Sequence, residues 1–266
     1  MITSFRMYGA LPAAQRAWRA LFEKVFSDTN TSIQFIEHSA PIATLWERDD
    51  LCCDFMCGWP FVRSERKVHP IAAPVPSPAR YLGLPRYCSE FLVLAASGFD
   101  TLEATFGHCI GWMANDSQSG FNAPRAHLAR YANFERRSLY AEAKGPLGTP
   151  LKTLEALRRG DVDIIALDSY FLDLCRRHEP ERLEGVLCVA TTEWTPIPLL
   201  VAAPGIDGAT VTKLREHLGE IHGDPGYAKR LDDVLLERFV APDVASYRSL
   251  EAMAQAAVDS RYTTIR

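Results

Sequence analysis

The residues best suited to chemistry in this chain are Asn115-Asp116-Ser117-Gln118-Ser119-Gly120-Phe121-Asn122, which follow the apolar run 109–114 and precede a helical pattern carrying Pro124. A strand that ends and releases hydroxyl, amide and glycine residues into a helix start aims several unpaired backbone N–H groups at one point. The hydroxyls of Ser117 and Ser119 and the amide of Gln118 add donors there, and Gly120 allows close approach. Asp116 and Asn122 flank them. Such a point suits a small oxyanion held without a metal, each hydrogen bond to the charged acceptor being worth roughly 1.5 to 3 kcal/mol. The plainer alternative is an ordinary strand-to-helix connection with a Ser or Asp cap.

Other candidates stand at similar junctions. Tyr8 and Gly9 lie between the first extended segment and the first helical pattern. Trp59 and Phe61 follow a strand end, where aromatic faces either wall a ligand or pack in a core. Tyr87 offers a phenol that either donates to a ligand or fills a sheet. Asp168 and Ser169 end an apolar strand at a helix start, so Asp168 is expected to cap that helix and to accept from an amine or hydroxyl of a ligand. Arg86 and Arg125 are the nearest cations in sequence, each expected as a solvated surface charge. The seven histidines show no metal-ligand spacing and read as surface or cap residues. The seven cysteines lie mostly in apolar runs, as small buried residues do, and the cluster Cys52, Cys53 and Cys57 has no CxxC repeat to complete a metal site. Neither metal nor cofactor is expected. No G-x-S-x-G, H-E-x-x-H or P-loop is present, so no catalytic residue is assigned; Asp116 and Asp168 are the only acid or base candidates.

The elements that must position these groups follow from periodicity. Ala14, Ala17, Trp18, Leu21, Phe22 and Val25 recur at helical spacing behind Pro12. Further helices are expected at 41–48, 124–131, 150–159, after Asp168, and at 211–221, 227–239 and 246–259. Strands are expected at 4–8, 32–37, 51–57, 87–96, 109–114, 139–143, 162–167, 185–191 and 197–203. Asp100 and Glu103 have the spacing of a capping box, and 68–85 holds too many prolines for more than short extended pieces. Strands alternating with helices define an open α/β sheet. At 266 residues and 47% hydrophobic content, the chain can form two lobes. The expected division is 1–95 plus 199–266 for lobe 1 and 96–198 for lobe 2, with hinges at 95–98 and 195–199. A net charge of −4 with scattered cations gives no footprint for nucleic acid, and no run reaches the length of a membrane span. Residues 1–7 carry no signal-peptide pattern, so a cytoplasmic location is expected unless an export leader has been removed.

Several segments together resemble the phosphate, phosphite and phosphonate binding proteins of ABC transporters. Asp54-Phe55-Met56-Cys57-Gly58-Trp59-Pro60-Phe61 is similar to their strand ending in a Gly-Pro-aromatic turn, and Pro85-Arg86-Tyr87-Cys88-Ser89-Glu90-Phe91 to their tyrosine-bearing strand before the crossover. Asp116-Ser117-Gln118-Ser119-Gly120, followed by Pro124, resembles their anion-binding loop. The segment from Leu154 through Gly160-Asp161-Val162-Asp163 to Asp168-Ser169 resembles their helix, Asp-Val-Asp, apolar strand and Asp-Ser. The resemblance implies a two-lobed type II periplasmic binding protein-like fold, each lobe a mixed sheet flanked by helices and the two joined by crossover strands. It implies a small anionic ligand (phosphonate-, phosphate-, sulfonate- or carboxylate-like) trapped between the lobes, and an ABC transporter permease as partner. Where the family often has a histidine, this chain has Gly148-Thr149-Pro150; Thr149 offers one hydrogen bond and no charge. Menaquinone-pathway lyases and pyrimidine-forming enzymes resemble the same fold, which keeps a catalyst, or a stand-alone ligand sensor, as the alternative.

Overall fold

The structure, a computed structural model, describes residues 1–132 and 138–266. Strand β1 (Ile2–Thr3) leads through a tight turn into helix α1 (Pro12–Asp28), which places Pro12 in its first turn and buries Ala14, Trp18, Leu21, Phe22 and Val25 along one face. There follow β2 (Gln34–Phe35), α2 (Ile42–Trp46), β3 (Cys52–Met56), the six-residue α3 (Gly58–Arg63), β4 (His69–Pro76) and β5 (Arg86–Tyr87). The chain continues with β6 (Ser89–Leu94), β7 (Cys109–Gly111), a π-helical turn over Gln118–Asn122 running directly into α4 (Ala123–Leu128), β8 (Glu142–Lys144) and α5 (Pro150–Arg158). After β9 (Ile164–Asp168) come α6 (Ser169–His178), β10 (Val186–Thr191), β11 (Thr195–Pro196), β12 (Leu199–Ala202), α7 (Gly208–Glu220), α8 (Pro225–Asp233), β13 (Leu236–Val240) and α9 (Ser249–Asp259).

Two compact units result. The first comprises Met1–Arg86 and Pro196–Ser246. Its four-stranded sheet runs β13-β4-β12-β3 with every pair antiparallel, and beside it β1 pairs parallel with β2 and bridges in parallel to Leu51, just ahead of β3. The second comprises Tyr87–Thr195 and Tyr247–Arg266. Its five-stranded sheet runs β10-β6-β9-β7-β8; β7, β8 and β9 are parallel, whereas β6 and β10 are antiparallel to their neighbours. Strands β5 and β11 pair with each other where the chain crosses between units.

The crossings thus fall at 86/87, where the sequence suggested 95–98, and at 195/196, inside the suggested hinge 195–199, and a third falls at 246/247. Residues 247–266 group with the second unit because that unit supplies their partners. Asn122 donates to the Leu250 carbonyl, Arg125 to the Thr263 carbonyl, and the Leu139 N–H to the Arg266 carbonyl. Ala257, Tyr262 and Ile265 complete the apolar core around Phe91, Ile110 and Leu128.

Other expectations give way to tertiary pairing. Residues 69–76 form a full interior strand despite Pro70, Pro74 and Pro76, and the register shifts on both neighbours fall beside Pro70 and Pro76, where the missing N–H interrupts the ladder. The pattern 227–239 reads as one helix, but α8 stops at Asp233, Leu235 turns left-handed at φ 54°, and Leu236 and Phe239 bury themselves against β4. Residues 4–8 form a turn and not a strand. The turn near Glu103 is a single 3₁₀ turn whose Ala104 N–H is taken by Thr101, so the Asp100–Glu103 capping box is absent. Five cysteines are buried as expected, while Cys109 is half-buried and Cys188 exposed.

Candidate functional site

In the second unit, strand direction gathers the candidate residues. Because β8, β7 and β9 are parallel, the segments leaving their C-terminal ends (145–149, 112–122 and 168–169) emerge at one end of the sheet. Strand β6 is antiparallel to β9 with Ser89 opposite Asp168, which brings Tyr87 and Cys88 to the same end. Hydrogen bonds lace these segments together. The Met113 N–H donates to the Gly120 carbonyl at 3.2 Å, while the Trp112 and Met113 carbonyls accept from the Leu147 and Gly148 N–H groups at 3.0 and 2.8 Å.

Ser117 opens the turn as its N-cap, in extended backbone, and its hydroxyl oxygen accepts from the Gly120 N–H at 2.9 Å. That bond closes the turn at the start of the helical segment. A Cβ on Gly120 would lie 2.6 Å from the Cβ of Met113, so only glycine allows this approach. Ser117 and Ser119 are buried. Asp116 is half-buried at the turn's entrance.

Gln118 and Asn122 have completely buried side chains turned toward the protein. Asn122 donates to the Gln118 side-chain oxygen at 2.8 Å and to Leu250, and its own oxygen accepts from Arg125 at 3.1 Å. Arg125 is therefore not a solvated surface charge: it is 8% exposed, donates to Thr263 at 2.9 Å and stacks over the Phe121 ring. Within the turn the Gln118 side chain thus points away from solvent, and Arg125 braces the turn from behind.

Thr149 caps α5 by accepting from the Lys152 N–H at 3.3 Å, which leaves its hydroxyl proton available to a ligand. Asp168 caps α6, one oxygen accepting from the Tyr170 and Phe171 N–H groups at 2.7 and 3.0 Å. Ser169 is bound by two bonds to Cys88, its hydroxyl accepting from the Cys88 N–H and its own N–H donating to the Cys88 carbonyl. This ties β9 to the residue next to Tyr87, whose side chain is buried. His127, expected at the surface, is half-buried between Phe91 and Tyr131, and burial lowers its pKa.

In the first unit, β1 and β3 run in the same direction, so residues 4–9 and 57–61 leave from one end. Tyr8 is buried edge-on against Phe55 at 5.1 Å. The Gly9 N–H donates to the Phe5 carbonyl at 2.8 Å, and a Cβ at Gly9 would meet that same oxygen at 2.8 Å. Trp59 and Phe61 ride on α3, half-buried, with the Arg63 guanidinium 4.8 Å over the Trp59 ring. Sequence reasoning passed over Asp54, a carboxylate buried in the middle of the β3 apolar run, although a lone acid within 51–57 was its visible signal. Among the described residues no group of His, Cys, Asp and Glu could hold a metal ion.

The chain thus has a type II periplasmic binding protein-like fold of two α/β units, each gathering its loops at one end of a sheet. Residues 50–247 match the family of periplasmic substrate-binding proteins of phosphonate ABC transporters, and the chain belongs to that family. Among solved structures it is similar to a binding-protein component of an ABC phosphonate transporter from Pseudomonas aeruginosa, at 16% identity over 98% of this chain and 88% of that one, with a TM-score of 0.81. It is also similar to PhnD1 from Prochlorococcus marinus in complex with methylphosphonate, at 14% identity over 96% of each chain and a TM-score of 0.76. A third, XAC2383 from Xanthomonas citri bound to ATP, shares 17% identity over 98% and 96%, with a TM-score of 0.66. At these identities the likeness shows the fold. Among curated proteins none matches the sequence. The enzymatic alternative gains no support, since the matched family is one of binding proteins.

Proposed function

We propose that the protein captures a small phosphonate-type oxyanion on residues 117–120, as the substrate-binding component of an ABC transporter. The observation that carries this reading is the Ser117-capped turn at a helix start, which stands at the same sheet end as Thr149, Asp168 and Tyr87. Family membership makes the ligand a transported solute. The ligands named for two similar structures, methylphosphonate and ATP, both carry phosphorus oxyanions, the group that amide and hydroxyl donors at a helix start recognise. With Arg125 committed to Thr263 and Asn122, the turn binds through neutral donors. The family is one of periplasmic ABC-transporter components, which supports a solute and a permease as the working partners; among the described residues no helix is long and apolar enough to cross a membrane.

Isothermal titration calorimetry at pH 7.5 with methylphosphonate, phosphate, sulfate and acetate tests this. A phosphorus oxyanion should bind most tightly, and Ser117→Ala with Ser119→Ala should weaken it by roughly 1.5 to 3 kcal/mol per lost bond. Equal affinity in the double variant, or acetate as the best ligand, would overturn the assignment.

A further inference from the structure

Helix α5 begins with a conflict. Thr149 caps it by accepting from the Lys152 N–H at 3.3 Å, which puts Lys152 at the third helical position, where a capping box has Glu or Gln reaching back to the cap. A cation there meets the positive end of the helix dipole, and the first turn holds no acidic residue to offset it. Nor does the fold occupy this exposed side chain: among the described residues the Lys152 ammonium has neither a hydrogen bond nor an ion pair, and Glu155, one turn further on, does not take it. Its stem shows where it is directed. The Lys152 Cδ lies 3.9 Å from where a Cβ of Gly148 would stand, so the side chain bends back across the loop 145–149 that leaves the C-terminal end of β8. The Gly148 N–H donates to the Met113 carbonyl at 2.8 Å, and the Met113 N–H donates to the Gly120 carbonyl at 3.2 Å. Two backbone bonds thus link the residue beneath the lysine to the anion turn, all within the second unit.

We propose that Lys152 is the counter-charge of the anion turn and the residue that makes it prefer a doubly charged oxyanion to a singly charged one. This rests on the anion-binding reading above. The turn itself offers neutral donors, and two other cations of the unit are committed elsewhere. Arg125 donates to Thr263 and Asn122, and Lys144 donates at 2.9 Å to the carbonyl of Asp161, which precedes β9 and so lies toward the opposite end of the parallel strands. An ammonium on a flexible stem acts at range without a fixed contact, since the Debye length is about 10 Å at 0.1 M salt. Its attraction doubles when the charge of the ligand doubles, whereas the hydroxyl and amide donors of the turn meet the same tetrahedral shape in either case. The misfit at the start of α5 is thus stability given up for a grip on the ligand.

The test pairs two tetrahedral anions of one shape, methylphosphonate and methanesulfonate, in calorimetry at about pH 8.5 and low ionic strength, where the first carries two charges and the second one. Lys152→Gln should weaken methylphosphonate about five- to tenfold and methanesulfonate only about two- to threefold, Lys152→Arg should restore both, and the loss should vanish in about 0.5 M salt. Equal losses for the two anions, unchanged methylphosphonate affinity, or a loss that persists in high salt overturn the proposal. Thermal unfolding of the ligand-free protein adds a readout that a merely structural lysine would not give. Lys152→Glu completes the capping box, so it should raise the melting temperature while lowering methylphosphonate affinity further than Lys152→Gln does. A lower melting temperature in both variants would make Lys152 a prop of α5 and overturn the proposal. Wild type that binds neither these anions nor phosphate overturns the anion-binding reading and the role of Lys152 together, whereas wild type that binds methylphosphonate no better than Lys152→Gln overturns only the latter.

Discussion

Asp168 caps α6: with one oxygen given to the Tyr170 and Phe171 amides, it fixes the start of that helix at the sheet end where the Ser117 turn emerges. Asp168→Ala should destabilise the protein by about 0.5 to 2 kcal/mol in urea denaturation, the range for losing an N-cap. The pH dependence of Asp54 has a definite sign. Its folded pKa is raised to about 6 from 3.8, so the folded state binds more protons than the unfolded state between those values, and its contribution to stability falls as pH rises across that window. Asp54→Asn should flatten this slope in denaturation measured from pH 4 to 7. The caps at Ser117 and Asp168 were legible in the sequence because a cap bonds two or three residues ahead; that of Thr149 on α5 was not read there. The inward turn of Gln118 and Asn122 was not, because it is set by a carbonyl 128 residues away.

Strand β7 is only three residues long, yet its continuation through Trp112 and Met113 holds two loops by backbone bonds. A Cβ on Gly145 would fall 2.4 Å from the Trp112 ring, and one on Gly120 would fall 2.6 Å from Met113. Gly120→Ala should therefore cost about 1 to 3 kcal/mol through overpacking, seen as a lower melting temperature, and should weaken oxyanion binding at the same time. Most helices and parallel strands could be read from periodicity, since α1 and β9 bury the positions that their patterns nominate. Strands β4 and β13 could not. Prolines and a helical spacing each argued locally against an extended pair that only the sheet explains.

At the scale of the molecule, each unit is built from two separate stretches of chain, and the second depends on residues 247–266. Deleting them should strip hydrogen-exchange protection from β7, β8 and β9 while leaving that of β3, β4 and β12 intact, because the lost bonds to Asn122, Arg125 and Leu139 all lie in the second unit. The division into units was visible only in outline from the sequence, which registers where strands alternate with helices but not which sheet a distant helix will cover. The bond from Leu139 to the Arg266 carbonyl also orders events in time. A ribosome delivers residues 117–122 long before the segment 247–266 that buttresses them, so the turn emerges unsupported and gains its Leu250 and Thr263 partners only after that segment has followed.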